Sequence, residues 1–583
     1  MSTSAATTAP PSGSTVRLRR LARFARPNRL YFVLAIVIGI ISGLAVVAFR
    51  MTIDLLDRDL LGVNHDPLRT VLVPALVGLL IGVLVVRVFP GARGSGVNQT
   101  KAALYIYDGY IPLRTVIGKF ITAALAVGSG QSLGPEDPSL QVGAGLASLL
   151  GRHLDLSRSR QRLLAPLGAA AGLAAAFNAP IAAVLFVIEE VIGRWSSGVI
   201  GPVVLAAVSS TVVARAFFGD HPLFQAPQFE LRHVSELAAY AVLGVVGGFG
   251  SLLFVKLVGW LRPRLAHLPR RVQYYLPAAA GLIIGVIGIW YPQIMGAGYG
   301  VINNALGGAY LWPMLAVLAL LKIAATALSF TSGAPGGMFA PTLFIGAMMG
   351  GAVGGVEHLL LPTLTAPVGV YALVGMGTAF AGILRCPVTS VFMVVEVSGS
   401  YAIVLPLMIS NMIAYFISQR WQSTPIFDLL SQQDGVVLPS MEEQREENIL
   451  HVEDAMKPAQ GAGGRGIPVI SAERPVREGW MRAQNAPRHF ILVDGGGAWY
   501  GLTLEVLAPL VASADEERPL ASVLDPRWRL PVLYPDQPLE AFLRESGDEP
   551  LLPVVHRAHG LLLGVLTLTD ALAAYHHRDV ERA

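Results

Sequence analysis

Charged residues are scarce in this chain of 583 residues, since Asp, Glu, Lys and Arg together make up 14% of it against 53% hydrophobic residues. Soluble globular proteins carry roughly 25% charged residues. The shortage excludes a soluble enzyme, a disordered tail protein and a fibrous repeat. It indicates a protein that crosses a membrane several times, with room for a soluble domain.

Cysteine is almost absent, because Cys386 is the single one in the sequence. One cysteine excludes disulfides and thiolate metal clusters, and no metal site is expected. The HExxH and GxSG patterns are missing as well, which argues against a membrane-embedded enzyme.

No acidic residue occurs before Asp54, and the same stretch carries a cluster of arginines: Arg17, Arg19, Arg20, Arg23, Arg26 and Arg29. Nucleic-acid binding is one interpretation. A cytoplasmic anchor beside the membrane is favoured, since an apolar run begins at once at Leu30. We therefore expect a disordered basic segment over 1–29, no secretory signal peptide and no nucleic-acid partner.

Apolar segments recur throughout residues 30–432, and several are shorter than the ~20 residues that a helix needs to cross a bilayer. Their approximate bounds are 31–49, 71–88, 112–128, 162–176, 180–193, 199–216, 236–259, 273–290, 311–331, 339–353, 368–383, 387–398 and 402–418. With 62 glycines and 39 prolines in the chain, this pattern predicts an all-α membrane domain in which helices break or end inside the bilayer.

The membrane part contains an internal repeat, with halves at about 31–216 and 236–418. APIAAVLFVIEE (179–190) aligns with CPVTSVFMVVEV at an offset of 207 residues, and DPSLQVGAG (137–145) aligns with APTLFIGAM at an offset of 203. A loop insertion of four residues accounts for the difference. Two related halves are typical of a transporter whose site lies between them near the membrane midplane.

A second, soluble part follows the membrane part. Residues 433–451 are polar and acidic and are predicted to be a linker, and 452–583 are predicted to be an α/β module. IPVISAERPV (467–476) aligns with LPVLYPDQPL (530–539) at an offset of 63 residues. The match predicts two tandem βαββα-like copies, at about 452–511 and 520–580.

Three glycine-rich loops stand out within the apolar sequence: GARGSGVNQ (91–99), GPEDP (134–138) and GAPGGMFAP (333–341). Pro138 and Pro341 suit the first turn of a helix. The free N–H groups of several helix starts converging on one point would bind an anion without a full positive charge, and so would allow it to leave. The alternative is that each loop is an ordinary tight turn.

Four of the ionisable residues in or beside the apolar segments carry specific expectations. Glu136, which aligns with Phe339 in the second half, is predicted to be functional because a buried acid is costly, although it could simply stabilise its own helix start. Glu189 has a repeat mate in Glu396, which favours a structural role. Glu190 has no mate, so function is more expected there, with exposure to water beside Arg194 as the alternative. Lys119 could attract anions or extend to the membrane surface.

Together these motifs resemble the CLC family of chloride channels and chloride/proton antiporters. GSGVN (94–98) is similar to the family's GSGIP, GPEDP (134–138) to GREGP, and GGMFAP (336–341) to GIFAP. AAAFNAPIAAVLFVIEE (174–190) also matches the family closely. The resemblance covers nearly the whole chain. It implies an inverted-topology repeat and a homodimer with one pathway in each subunit.

The resemblance also implies residue roles. Glu136 would be the gating glutamate and Glu190 the internal proton-path glutamate, whose presence favours antiport. The implied anion-binding residues are Ser95, Gly96, Gly337, Met338, Phe339 and Phe427.

Three departures from the family pattern affect these roles. Asn98 replaces the proline of the first motif, which affects anion preference. Pro135 and Asp137 replace Arg and Gly in the second, which affects gating. Phe427 stands where the family has an anion-coordinating tyrosine. Loss of that hydroxyl should weaken the inner gate and cost a contact of ~1 kcal/mol.

The tandem soluble copies resemble a pair of CBS domains. GVLTLTD (564–570) is similar to the motif in which a hydroxyl and a carboxylate, here Thr567 and Asp570, contact the ribose of adenosine. The resemblance implies adenine nucleotide as a ligand, with an unliganded structural pair as the alternative. No cofactor is expected to be required.

The function expected from these features is secondary transport of chloride, or a similar small anion, in exchange for protons. A passive anion channel of the same fold, gated by voltage or pH, is the alternative. A nucleotide sensor that uses its membrane part only as an anchor would need neither the repeat nor buried acids. The arginine-rich start favours a bacterial inner membrane with cytoplasmic termini.

Overall fold

The computed structural model describes residues 27–62, 66–154, 156, 158–193, 197–225, 236–362, 365–436, 438, 450–458, 467–486, 489–512, 516–547 and 549–574. Residues 1–26 of the predicted N-terminal segment and most of the linker 433–451 lie outside these ranges, as does Arg194; residues 27–29 of that segment begin a helix. The chain divides into two compact units, Met1–Gly435 and Val436–Ala583.

The first unit is built from helices. In its first half these are α1 (Pro27–Leu56), α2 (Pro67–Val83), α3 (Val97–Tyr105), α4 (Leu113–Gly128), α5 (Glu136–His153), α6 (Arg158–Phe177), α7 (Pro180–Phe186), which continues as a π-helical turn (Val187–Ile192), and α8 (Ser197–Phe218). In its second half they are α9 (Glu236–Ala266), α10 (Leu276–Gly288), α11 (Tyr299–Leu306), α12 (Trp312–Thr331), α13 (Phe339–Leu360), α14 (Val368–Leu384), α15 (Pro387–Ser398), α16 (Val404–Trp421) and α17 (Ile426–Gln433).

The helices of the two halves correspond one to one, from α1 with α9 to α8 with α16. Equivalent pairs pack alike: α5 on α6 as α13 on α14, and α1 on α8 as α9 on α16. The closest contacts are also equivalent, because a side chain at Gly143 would collide with the carbonyl of Gly168, and one at Gly346 with that of Gly375. Helix order, helix packing and these glycine contacts therefore agree between the two halves.

The four-residue difference between the repeat offsets was expected to be a loop insertion, and the structure corrects this in part, because a helix is longer as well as the connection that follows it. Helix α5 has 18 residues and α13 has 22. The extra residues continue α13 by about one turn at its C-terminal end, because nothing in the sequence HLL that follows Glu357 interrupts a helix.

The outer surface of this unit is more apolar than that of a soluble protein, while its interior is an apolar core as well. Large apolar side chains are exposed on the outside, such as Leu76 at 63%, Val212 at 62% and Leu405 at 57%. Exposed apolar surface of this extent is typical of contact with lipid. Within the described residues, six helical segments are long and apolar enough to cross a membrane: Tyr31–Leu61, Pro67–Val88, Val199–Phe218, Glu236–Ala266, Trp312–Thr331 and Phe339–Leu360.

The predicted broken helices are present. Helix α3 has 9 residues, α7 has 7 before the π-helical turn, and α11 has 8. Each is too short for a bilayer of about 30 Å. Their ends, with those of the long buried helices α5 and α13, bring main-chain groups into the interior of the unit.

The second unit contains two related copies. The first has β1 (Val469–Ser471), α18 (Val476–Gln484), β2 (Phe490–Asp494), β3 (Trp499–Thr503) and α19 (Leu504–Ala512); the second has α20 (Glu540–Glu545), β4 (Leu551–Val555), β5 (Leu562–Thr567) and a helix over 568–574. Strand β1 pairs with β2 in parallel, whereas β2–β3 and β4–β5 are antiparallel.

The predicted first strand of the second copy does not form as a strand. In its place, Leu533 makes an isolated parallel bridge to Val554, the counterpart of the β1–β2 pairing. The two copies share a core, in which Phe490 and Leu492 of β2 pack with Leu551 of β4 and Val565 of β5. The tandem arrangement is thus present, with one strand reduced to a bridge.

Candidate functional site

The loops that precede α5 and α13 are joined to each other. Gly134 N–H donates to Gly337 O at 2.9 Å, and Gly337 N–H donates to Gly134 O at 2.7 Å. These glycines occupy equivalent repeat positions, so the bridge relates the two halves by a local two-fold axis. Because the bridge uses its N–H, Gly337 has none left for an anion, and its predicted part in anion binding is corrected.

Glu136 lies at the first position of α5 and is fully buried. Its Oε1 accepts a hydrogen bond from the Tyr299 hydroxyl at the start of α11. The main-chain N–H groups of Glu136 and Ala340 also interact with the carboxylate. Glu136 therefore contacts the helix starts of the second half, and it does more than stabilise its own helix.

Asp137 is fully buried beside it. Its Oδ2 accepts a hydrogen bond from Met338 N–H at 3.2 Å, and its carboxylate also interacts with Phe339 N–H and the Lys119 ammonium. Met338 and Phe339 are the residues whose N–H groups were predicted to bind an anion. In this structure a carboxylate of the chain itself lies in front of them.

Ser95 and Gly96 begin α3 close to the same point. Ser95 is 3% exposed, and its Oγ accepts from Val97 N–H at 3.2 Å, which leaves the hydroxyl hydrogen available to an anion. Gly96 has φ +115° and lies so close to Gln141 and the carbonyl of Asp137 that a side chain would collide. Glycine is therefore required where α3 meets α5.

Two of the departures from the family pattern contact each other. Asn98 Nδ2 donates to the main-chain carbonyl of Phe427 at 2.9 Å and so connects α3 to α17. The ring of Phe427 is 6.4 Å, centroid to centroid, from both Phe186 and Phe339. Phe427 therefore belongs to an aromatic cluster at the position where the family has a tyrosine.

Glu190 lies in the π-helical turn after α7, and it is buried at 1% exposure. Lys101 Nζ donates to Glu190 Oε1 at 3.2 Å and to Asp428 Oδ1 at 2.9 Å. The alternative in which Glu190 faces water is wrong. Lys101 of α3 instead bonds to two buried carboxylates, one in the π-helical turn and one in α17. Cys386 Sγ is 3.9 Å from Glu190.

Glu189 and its repeat mate Glu396 cap each other's helices. Glu189 Oε2 accepts from Thr389 N–H and Oγ1 at 2.9 and 2.7 Å, at the start of α15. Glu396 accepts from Ile181 and Ala182 N–H at 3.1 and 2.8 Å, at the start of α7. The predicted structural role of Glu189 is confirmed, through reciprocal capping.

Replacing Glu189 with alanine should lower the stability of the membrane unit and leave transport chemistry intact. The substitution leaves two donors of Thr389 unsatisfied, and a lost cap costs about 1 kcal/mol. Thermal unfolding of the purified protein in detergent measures the change, and Glu396→Ala is the matched control with a similar expected decrease. Unchanged unfolding with altered transport would contradict the capping role.

The repeat also relates two buried lysines. Lys119 Nζ donates to Gly94 O at 2.6 Å, and Lys322 Nζ donates to Gly296 O at 2.7 Å and Ile294 O at 2.9 Å. Both side chains are fully buried, so the alternative in which Lys119 extends to the membrane surface is wrong. Each lysine holds the loop before a short helix, α3 or α11.

In the second unit, Thr567 and Asp570 lie together. Thr567 Oγ1 donates to Asp570 Oδ2 at 2.6 Å and accepts from Asp570 N–H at 3.3 Å, while Lys457 pairs with Asp570. Although partial burial opposes it, these hydrogen bonds from Lys457 and Thr567 hold the pKa of the Asp570 carboxyl below its ordinary value. Their stabilisation is present above about pH 4 and is lost as the pH falls through the lowered pKa.

Sequence reasoning missed Lys101, Asp428 and Tyr299 as members of these clusters. Lys101 and Asp428 are charges next to apolar segments, which was a usable signal. Tyr299 had no such signal in the sequence, apart from its position at the start of α11, which is equivalent to that of Val97 in α3. Among the described residues, no group of three or more His, Cys, Asp or Glu side chains could hold a metal ion.

Known proteins similar to this chain share its membrane unit. The family model for the voltage gated chloride channel matches residues 77–419. A relative from Ralstonia nicotianae, named as a ClcB-like chloride channel protein, is 36% identical over 394 residues, covering 65% of this chain and 91% of that protein. The H(+)/Cl(−) exchange transporter ClcA of Vibrio campbellii is 32% identical over 415 residues, covering 68% and 88%.

Solved structures of CLC proteins resemble this chain in fold. A slow cyanobacterial Cl−/H+ antiporter matches with a TM-score of 0.65 and 26% identity, over 70% of this chain and 98% of that one. A eukaryotic CLC transporter matches in fold with a TM-score of 0.61 and 20% identity, over 95% of this chain and 98% of that one. With a family match over more than half of its length, the chain belongs to the voltage gated chloride channel (CLC) family.

Proposed function

We propose that this chain exchanges chloride for protons across a membrane. The observation that carries the proposal is the buried carboxylate of Glu136, which lies where main-chain N–H groups from two halves meet. Such a group can hold either a negative charge or a proton in the place where an anion would bind. The relatives named as H(+)/Cl(−) exchange transporters and the Cl−/H+ antiporter structure support it.

The mechanism follows from competition between two negative charges. Ionised Glu136 occupies the main-chain donors and excludes the anion. A proton removes its charge, so the carboxyl leaves and an anion takes its place, with the Ser95 hydroxyl as a further donor. Glu190, by the family resemblance, passes the proton on along the internal path. The net charge of the site stays nearly constant at each step. This limits the electrostatic free-energy cost of each step in a poorly solvated interior.

Reconstitution into liposomes tests the function. We expect chloride entering the liposomes down its gradient to drive protons out of them, with no added cofactor. Comparison of nitrate and fluoride with chloride identifies the preferred anion. Chloride flux without any proton movement, in vesicles shown to be proton-tight, would contradict exchange.

A passive anion channel, gated by voltage or pH, is the second candidate. It is favoured by Phe427, which lacks the hydroxyl expected at the inner end of the site, and by the name of the Ralstonia relative. Reversal potentials under a proton gradient separate the two, because a channel's reversal potential ignores the proton gradient and that of an exchanger shifts with it.

The assembly and location are also proposals. We infer a homodimer with an independent pathway in each subunit, in a bacterial inner membrane with cytoplasmic termini. The family resemblance and the arginine-rich start support these inferences. Light scattering of the purified protein in detergent measures the subunit number, and accessibility of the termini in sealed vesicles measures the orientation.

We infer that the second unit is a pair of CBS domains that binds an adenine nucleotide through Thr567 and Asp570. The internal repeat of this unit and its GVLTLTD motif support the inference. The fold likeness to the eukaryotic CLC transporter extends beyond Gly435, since it covers 95% of the chain. The alternative is an unliganded structural pair. One observation in its favour is that Thr567 and Asp570 bond to each other as a helix cap does.

Nucleotide binding decides between these alternatives. We expect ATP or AMP to bind the full chain, and Asp570→Asn to weaken binding about tenfold by removing one charged hydrogen bond. Asp525→Asn, at a partly exposed position of the same unit, is the control. No heat of binding for either nucleotide would favour the structural pair.

A further inference from the structure

The anion position in front of α13 is already taken by an acidic side chain other than Glu136. Asp137 Oδ2 accepts from Met338 N–H at 3.2 Å, and the carboxylate interacts with Phe339 N–H as well. These are the donors that the family resemblance assigns to the transported anion. The Asp137 carboxylate carries the same charge as chloride and is tied to the chain, so the two compete for one place.

The contacts of Asp137 differ from those of a helix cap. Glu396, which is a cap, uses both carboxylate oxygens as acceptors. Asp137 uses one, and its Oδ1 is buried with no hydrogen-bond partner among the described residues. A buried carboxylate oxygen without a donor is costly, so a side chain serving only as a cap would be poorly placed here.

An alternative donor lies on the same face of α5. Gln141 is one turn beyond Asp137, fully buried, and in the described part of the chain its Nε2 and Oε1 have no hydrogen-bond partner. Residues four apart on a helix are neighbours. Gln141 Nε2 can therefore receive the Asp137 carboxylate once it leaves Met338.

The charge balance favours the same exchange. Lys119, fully buried, interacts with the Asp137 carboxylate. When Asp137 turns away, the lysine and the free N–H groups of α13 both attract an incoming anion. When Asp137 is in place, the lysine is balanced and the anion is repelled at short range.

We propose that Asp137 is a tethered competitor that holds the anion position at Met338 and Phe339, so that chloride binds only when the carboxylate has moved toward Gln141. The proposal rests on the proposed function in taking chloride as the cargo. It makes Asp137 a determinant of anion affinity that acts in addition to Glu136.

Chloride titration of the purified full chain in detergent, by calorimetry, tests the proposal. We expect Asp137→Gly and Asp137→Asn each to bind chloride about tenfold or more tightly than the wild type, because both remove the competing charge near the anion. Asp220→Asn, which removes a carboxylate that is 74% exposed and pairs with Arg215, should leave the affinity unchanged.

Two results of this titration would overturn the proposal. Folded Asp137 variants that bind chloride no more tightly than the wild type, or a loss of folding in both the near-isosteric Asn variant and the Gly variant, would assign Asp137 a purely structural role. A failure of proton exchange is distinguishable, since it appears as absent proton movement in liposomes while the chloride affinities of the wild type and the Asp137 variants keep their expected order.

Discussion

Replacing Glu136 with alanine is expected to abolish proton coupling while chloride continues to cross the membrane. The substitution removes the carboxylate that Tyr299 and the start of α13 hold in place. Without it, the side chain at position 136 can neither carry a proton nor exclude the anion. Proton movement should fall to the background of empty liposomes, with chloride turnover within about tenfold of the wild type.

The variant has a matched neutral partner and a matched control. Glu136→Gln keeps an acceptor for Tyr299 but cannot titrate, so it should also lose proton movement. Glu396→Gln changes a carboxylate that only caps α7 and should keep coupling. If proton movement in Glu136→Ala matched the wild type, the assignment of Glu136 as the titrating gate would be wrong.

The second large effect is expected at Lys101. Its ammonium is 3% exposed and is hydrogen-bonded to Glu190 and Asp428. Lys101→Met leaves both carboxylates buried without a positive partner. Breaking a buried ion pair in this way costs about 3–5 kcal/mol, which is of the order of a protein's whole stability. Most of the expressed chain should therefore fail to give a monodisperse peak on size exclusion in detergent.

A triple variant separates charge from packing. Lys101→Met combined with Glu190→Gln and Asp428→Asn removes all three charges and keeps the side-chain volumes, so folding should return. The rescued protein should move chloride without protons, because Glu190 can no longer titrate. A stable Lys101→Met single variant, or a triple variant that stays unfolded, would show that the ion pairs do not govern folding here.

Parts of the site were predictable because they depend on local sequence. The loops GPEDP and GAPGGMFAP predicted two buried helix starts, and the repeat alignment placed these starts at equivalent positions. The comparison of Glu189 with Glu396 correctly separated a structural acid from Glu190. The length of α13 was misjudged because an offset between aligned segments does not say whether extra residues extend a helix or a loop.

The family resemblance supplied the remaining roles, and the structure modified them. Gly337 was expected at the anion, and its N–H instead closes the bridge to Gly134. Asp137 was noted as a departure from the motif, without any indication that it would face Met338. Asn98 and Phe427 were two separate departures in the sequence, yet they form one contact between α3 and α17.

The sequence by itself determined that this chain enters a membrane, that its two halves are related, and where buried helices begin. These properties depend on transfer of apolar segments out of water and on the local chemistry of glycine and proline, both of which act within a short stretch of chain. Only the tertiary structure decided which charges meet. Lys101 is 89 residues from Glu190 and 327 from Asp428, and Asp137 is 201 from Met338. Electrostatic attraction depends on distance in space and on exclusion of water, neither of which is encoded by position along the chain.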